Sequence, residues 1–324
     1  MPDVPASRPS GAAALVPDSL PRPGGVLAGQ RRAVARALTA VENGLPGADV
    51  LVDALYPHTG RAWRIGVTGP PGAGKSTLTD RLVTAFRARG QTVAVVAVDP
   101  SSPFTGGALL GDRVRMDGHA EDDGVFVRSL AARGALGGLS EAAEGACDVL
   151  DAAGFDVVLV ETVGVGQGEV DVAETTDTTL VVLVPESGDA VQAMKAGLME
   201  VADVFCVNKA DKPEAARLVR ALRATLHLRP EGSAQPAVVT ASALAGDGID
   251  GLVAALDGHR AALAERWDEV RAERLRRRVR RLVEGRWRRA FWADGRAEAL
   301  ARAVAELDPS ERAPHRLAAR VLGE

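Results

Sequence analysis

Aromatic side chains are scarce: four Trp, one Tyr and six Phe, 3% of 324 residues. Any core must therefore be assembled from Ala, Val and Leu, which supply most of a 46% hydrophobic fraction. Cysteine is limited to Cys147 and Cys206, each inside an apolar-flanked run. Two such residues exclude a multi-bridge disulfide framework and suit buried, reduced thiols in a cytosolic protein. The five histidines, His58, His119, His227, His259 and His315, show no pair at metal-ligand spacing, so no His/Cys metal site is expected. No apolar run reaches the ~18 residues of a membrane span, so no membrane partner is expected. A secretory signal is also lacking: residues 1–25 hold six prolines with Ala and Ser, without a basic region leading into an apolar block. They read as a disordered tail on a cytoplasmic protein. The net charge of −4 speaks against a chain that coats nucleic acid. Finally, lysine is nearly absent. There are four among 39 basic residues, Lys75, Lys195, Lys209 and Lys212, so the position of each carries weight.

What is present is organised. At roughly 150 residues per domain, the length allows one large domain with appendages, or two domains. Residues 26–58 read as a helical extension, with Val34, Leu38 and Val41 at helical spacing, a break at Asn43-Gly44, and then Val50, Leu51 and Leu55. From 59 to 258, short apolar strands alternate with helices. The strands are expected at Arg64–Thr68, Thr92–Val98, Val125–Arg128, Asp156–Glu161, Thr179–Val184, Val204–Val207 and Ala237–Thr240. The helices between them are expected at Ser76–Ala88, Ser140–Ala152, Ala190–Glu200, Pro213–Leu226 and Ile249–Leu263. Near-continuous Val/Leu strands alternating with helices predict an α/β fold with a doubly wound, mostly parallel sheet. Residues 259–324 turn basic, with 17 Arg against 11 Asp and Glu. An apolar stripe from Leu263 through Trp267, Val279 and Trp287 to Phe291 runs through them. A helix of this kind must bury its stripe on its own domain or on a partner subunit.

The strongest motif is Gly69-Pro-Pro-Gly72-Ala73-Gly74-Lys75-Ser76-Thr77, directly after a strand and opening a helix. This is the phosphate-binding P-loop: glycines let backbone N–H groups converge on phosphate oxygens at a helix N-terminus. Lys75 would neutralise β- and γ-phosphates and the Ser76 hydroxyl would ligate Mg²⁺. Asp99 ends the next strand, Asp112 lies in a glycine-rich loop, and Glu161 ends a third strand. These acids are candidates for the metal or its waters. Glu161 runs into Thr162-Val163-Gly164 and then Gly166-Gln167-Gly168, an arrangement in which the Gly164 N–H senses the γ-phosphate and the loop switches with nucleotide state. Gln167 is a candidate for orienting the attacking water. Asn208-Lys209-Ala210-Asp211 follows another strand. The Asp211 carboxylate can accept from N1–H and the exocyclic amine of guanine, Lys209 can stack on the purine, and Asn208 can tie the pocket to the P-loop. Ser242 and Ala243 would complete the base pocket with a backbone N–H. GTP, hydrolysed to GDP and phosphate, is therefore favoured over ATP.

These segments, with Gly106–Met116, Arg128–Leu139 and Gln192–Asp211, run in an order that resembles the MeaB/ArgK-type GTPases associated with methylmalonyl-CoA mutase. That family belongs to the signal-recognition-particle-like class of P-loop proteins. The resemblance spans roughly Ala33 to the C-terminal helices. It implies a G-protein chaperone with Mg²⁺ and GTP/GDP at its site, acting on an adenosylcobalamin-dependent acyl-CoA mutase during cofactor loading and turnover. It makes Lys75 and Ser76 the phosphate and Mg²⁺ ligands and Asp99, Asp112 and Glu161 the acidic metal and switch set, so that these residues, with Gln167 by its place in the switch, form the catalytic and metal set. It also places Gln192 and Lys195 in an additional switch, and implies a homodimer through the C-terminal helices. Two other readings compete with it, a nickel metallochaperone of the same class and a small-molecule P-loop kinase. The first calls for a His-rich tail or a Cys/His pair near the switch, and the second has no use for Asn208–Asp211.

Overall fold

A computed structural model describes residues 16–100, 117–119, 121–132, 138–162, 168–185, 197–229, 235–293, 295–307 and 313–323. Three short helices come first, α1 (Pro23–Leu27), α2 (Arg31–Glu42) and α3 (Ala48–Leu55). Strand β1 (Trp63–Thr68) leads into α4 (Lys75–Ala88), β2 (Val93–Pro100) and β3 (Val125–Ala132). Then follow α5 (Gly138–Ala152), β4 (Val157–Thr162), α6 (Gly168–Thr175), β5 (Thr178–Leu183), α7 (Leu198–Val201) and β6 (Val204–Val207). The first part closes with α8 (Ala215–Leu226), β7 (Ala237–Thr240) and α9 (Ile249–Ala264). The chain ends in α10 (Trp267–Ala293), α11 (Arg296–Glu306) and α12 (Pro314–Leu322).

The seven strands form one sheet in the order β3-β2-β4-β1-β5-β6-β7, and every pairing is parallel. The chain winds first to one side of β1 and then to the other. The carboxyl end of β1 is thus a topological switch point, where α/β sheets place their ligands. Alternation along the strands sorts side chains between two layers. Ile65, Val67, Leu159, Leu180 and Val182 pack under α4 and α9 with Leu78, Leu82, Phe86, Leu252 and Leu256. Val96, Val158 and Val160 face the opposite layer, where α2, α3 and α5 contribute Leu38, Leu51, Leu55 and Leu150. Gly66 lies on this second face, where a Cβ would strike Val172 and Thr176 of the α6 region, so glycine is what lets α6 close on β1. A third cluster joins Val181, Leu183, Phe205 and Val207 to Leu218 and Leu222 of α8.

The strands' amino ends are held by polar networks. Arg64 is buried with Asp148 at 2.8 Å and Asp151 at 3.3 Å, both on α5. Burial works against its charge, yet Asp148, with Cys147, Asp177 and Asp151, outweighs that and raises the guanidinium pKa. Asp151 also accepts from the N–H groups of Gly60, Arg61 and Ala62, which fixes the lead-in to β1. Beside it the Trp63 indole donates to the Thr178 hydroxyl at 2.9 Å. His259 of α9 lies 2.9 Å from the same hydroxyl and 3.3 Å from Asp203.

Several boundaries differ from the sequence expectation. Leu20 is buried and α1 starts at Pro23, both inside the stretch expected as a disordered tail. Strand β2 runs on through Asp99 to Pro100, and β4 runs one residue past Glu161. Helix α6 was not expected at all. Of the helix expected over Ala190–Glu200, the described residues contain the short α7. The chain divides into two compact units, residues 1–267 and 268–324. The second unit has no buried residue among the described residues of its helices. Its α10 exposes Leu275, Val279, Val283 and Trp287, spaced four apart along one stripe. No helix of the described residues is long and apolar enough to cross a membrane.

Candidate functional site

The loop after β1 is shaped by three glycines with positive φ, Gly69 at 138°, Gly72 at 73° and Gly74 at 82°. At two of them space as well as conformation demands glycine. A Cβ on Gly69 would fall on the Val182 carbonyl of β5, and one on Gly74 would fall on the Asn208 amide. Helix α4 starts at Lys75, so the N–H groups of its first turn face the loop, as an anion requires. The Lys75 ammonium donates to the carbonyls of Gly69 (2.8 Å) and Pro70 (3.0 Å), and the residue is buried within the loop it belongs to. Ser76 donates to Glu161 Oε1 at 2.5 Å, bringing the first turn of α4 onto the end of β4. Thr77 follows, half-buried.

The opposite end of the site is built from β6 and the turn after β7. Asn208 directly follows β6 and is buried. Its Nδ2 donates to the Ala73 carbonyl at 2.8 Å and its Oδ1 accepts from Ala243 N–H at 3.0 Å, so one amide joins the P-loop to the last loop. Lys209 has φ 57°, the only positive value at a non-glycine among the described residues. Left-handed backbone at such a residue is maintained only where its surroundings demand it. Here the Ala210 N–H reaches the Ala241 carbonyl and the Lys212 N–H turns back to Lys209. Asp211 is exposed, and its Oδ1 accepts from the Ser242 hydroxyl at 2.9 Å. Two residues upstream of Asn208, burial pushes the Cys206 thiol up to about 12, which keeps it protonated and unreactive.

Three groups of expected residues thus converge at the carboxyl ends of β1, β4 and β6: Gly69–Thr77, Glu161, and Asn208–Asp211 with Ser242 and Ala243. The Ser76 hydroxyl and the Glu161 carboxylate are hard oxygen donors that meet at one point, and Asp99 belongs to β2, the neighbour of β4. Such a donor set fits Mg²⁺. Asp112, Gly164, Gln167, Gln192 and Lys195 lie outside the described residues. Of the segment expected to complete the base pocket, the Ala243 N–H is engaged by Asn208.

Sequence reasoning passed over several residues that shape this site. Arg81 of α4 donates to the carbonyls of Ala243 (2.9 Å) and Leu244 (3.1 Å). The Thr162 hydroxyl donates to that of Thr68 at 3.1 Å, tying the ends of β4 and β1. Arg87 grips Asp122 with two 2.8 Å bonds, and His119 lies 3.2 Å from Asp80. Both pairs fasten α4 to the lead-in of β3. One of 35 arginines carries no local pattern, so only the P-loop's position upstream could have drawn attention to α4's solvent-facing side.

The model of the family described as methylmalonyl Co-A mutase-associated GTPase MeaB matches residues 34–296. A putative GTPase of Pyrococcus abyssi is 49% identical over 263 residues, covering 79% of this chain and 81% of its own. The fused isobutyryl-CoA mutase of Cupriavidus metallidurans is 42% identical over 192 residues, 58% of this chain and 17% of that protein. Among solved structures, one titled LAO/AO transport system kinase superposes with a TM-score of 0.72 at 30% identity, over 93% of this chain and 95% of that one. With a P-loop opening α4 on an all-parallel seven-stranded sheet and a family model covering most of its length, the chain belongs to the MeaB family of methylmalonyl-CoA mutase-associated GTPases.

Proposed function

We propose that this protein binds and hydrolyses GTP and acts as a G-protein chaperone for an adenosylcobalamin-dependent acyl-CoA mutase, during cofactor loading and turnover. The observation that carries the nucleotide half is the Asn208 amide, which links the phosphate loop to the base-reading segment through two hydrogen bonds. Lys75, released from the loop carbonyls, would neutralise the β- and γ-phosphates, and the α4 N-terminus would receive the remaining phosphate charge. Ser76, Glu161, Asp99 and Asp112 would hold Mg²⁺, which when bound supplies charge neutralisation between the phosphates. Asp211 would accept from the two guanine donors, with Lys209 stacked on the purine and Ser242 steadying the carboxylate. Gly164 and Gln167 would form the γ-phosphate-sensing switch, and Gln192 with Lys195 a further one.

The mutase half rests on family membership and on the fused isobutyryl-CoA mutase, where the matching 192 residues are a minor part of a protein named as a mutase. The C-terminal helices, whose stripe finds no burial within its own unit, would form a homodimer. No nucleic acid or membrane enters this reading, and the protein is placed in the cytoplasm.

The test is hydrolysis and pull-down together. Purified protein should turn over GTP and not ATP, Lys75→Ala should lower turnover by about 10²-fold or more, and Asp211→Asn should shift preference towards xanthine nucleotides. An acyl-CoA mutase should co-purify in a manner that changes with a non-hydrolysable GTP analogue. Equal turnover of ATP and GTP removes the base reading. Mutase binding indifferent to nucleotide removes the chaperone reading.

A further inference from the structure

Arg81 stands on α4, six residues past Lys75 and half-buried. Its Nε–H donates to the Ala243 carbonyl at 2.9 Å and its Nη2–H to the Leu244 carbonyl at 3.1 Å. The Ala243 N–H donates to Asn208, and Asn208 donates in turn to Ala73, which lies two residues before Lys75. The contacts close a ring that runs from the P-loop to Asn208, to the loop after β7, to Arg81 and back along α4. Inside that ring two consecutive carbonyls point at one guanidinium. Among the described residues no peptide bond is cis. In planar trans peptides the N–H following each carbonyl points the opposite way, so those of Leu244 and Ala245 are turned away from α4. The turn is closed at its base by Gly246 N–H to the Ser242 carbonyl and Ser242 N–H to that of Asp247, and the Leu244 side chain, 86% exposed, adds no packing that would fix the two peptides between.

We propose that Arg81 is a positioning residue for base selection. By gripping both carbonyls it sets the orientation of the Leu244 and Ala245 N–H groups, which then meet the carbonyl oxygen of the purine. Asp211 reads the opposite edge, N1–H and the exocyclic amine. The Ala243 N–H, committed to Asn208, sets the loop's height and does not read the base. A planar guanidinium suits the task, because its Nε–H and Nη–H present two donors in a fixed fork, whereas an ammonium is a single point charge. The proposal rests on the guanine reading above and adds to it a residue outside the recognised motifs.

The experiment is calorimetric titration of the full chain with GDP, 6-thio-GDP, IDP and ADP. 6-Thio-GDP keeps both donors read by Asp211 and weakens only the acceptor at the 6-position, whereas IDP loses the exocyclic amine and keeps that acceptor. Arg81→Met should weaken GDP roughly three- to tenfold, the worth of one or two hydrogen bonds. It should shrink the preference for GDP over 6-thio-GDP and leave the preference for GDP over IDP unchanged. Arg81→Lys should fall between Arg81→Met and the unaltered protein. A uniform loss across GDP, 6-thio-GDP and IDP would mean a structural role only and overturns the proposal. So does an Arg81→Met protein that keeps the full preference for GDP over 6-thio-GDP. If the unaltered chain binds ADP as well as GDP, the guanine reading itself falls and takes the proposal with it.

Discussion

The residues that decide whether this chain works are few and their neighbours explain why. Gly74 needs a positive φ and also the space that the Asn208 amide occupies, so no side chain can replace its hydrogen. At the other end of β1, Arg64 faces Asp148 with both side chains almost fully buried. Breaking a buried pair from one side leaves a charge without compensation and costs on the order of 3 kcal/mol. Asp148→Ala is therefore expected to lower the stability of the first unit by about that amount in urea denaturation, with GDP affinity unchanged at 25 °C. A loss below about 1 kcal/mol would show that Asp151 and Asp177 suffice for Arg64. The P-loop and Asn208–Asp211 were legible in the sequence because phosphate and guanine each demand particular residue types at fixed spacing. Arg64 and Arg81 were not, since an arginine's role here depends on what another part of the chain brings to it.

At the level of elements, α4 does more than carry the P-loop. Asp122 is bound twice by Arg87 and once by the Gly124 N–H, and its carboxyl is held below the usual carboxylate range, first by Arg87 and then by that N–H. A depressed folded-state pKa gives stability that is complete above the unfolded value near 4 and disappears as pH falls through the folded one. The pair is partly exposed, so salt screens it. Asp122→Asn should accordingly lower the melting temperature at pH 7 and low salt, and the deficit should shrink at pH 3 and in molar salt. A deficit independent of pH would assign the effect to lost hydrogen bonds alone. The strands were legible because buried parallel strands read as unbroken Val/Leu runs. Helix α6 was not. Its sequence, Gly168-Glu-Val-Asp-Val-Ala-Glu-Thr175, mixes β-branched residues with a leading glycine, and it continues a glycine-rich stretch that reads as loop. Its formation owes more to the place kept for Val172 and Thr176 against Gly66 than to propensity.

Across the whole molecule the two units differ in kind. Residues 1–267 hold every buried core cluster, and the described helices of residues 268–324 hold none. Helices without a buried face are marginal in water unless something covers them. On the homodimer reading, Val279→Glu with Trp287→Glu should convert a dimer to a monomer in sedimentation and reduce helical ellipticity, while GTP turnover persists. A native chain that sediments as a monomer at micromolar concentration with full helicity would sink that reading. The sequence showed the stripe plainly but not its fate, because burial against a second chain and burial within one chain leave the same pattern.

The scarcity of aromatics has a practical corollary. Trp63 is fully buried and hydrogen-bonded to Thr178, and Trp267 is packed beside the first unit's core. Trp287 and Trp292 stand on α10 in the second unit, with 76% and 38% of their surface in contact with solvent. The intrinsic fluorescence of the chain is thus the sum of two pairs of emitters in unlike surroundings. Two variants, each with one pair replaced by phenylalanine, would report the unfolding of the two units separately, the inner pair shifting to the red as its shelter is lost and the outer pair reporting by quenching.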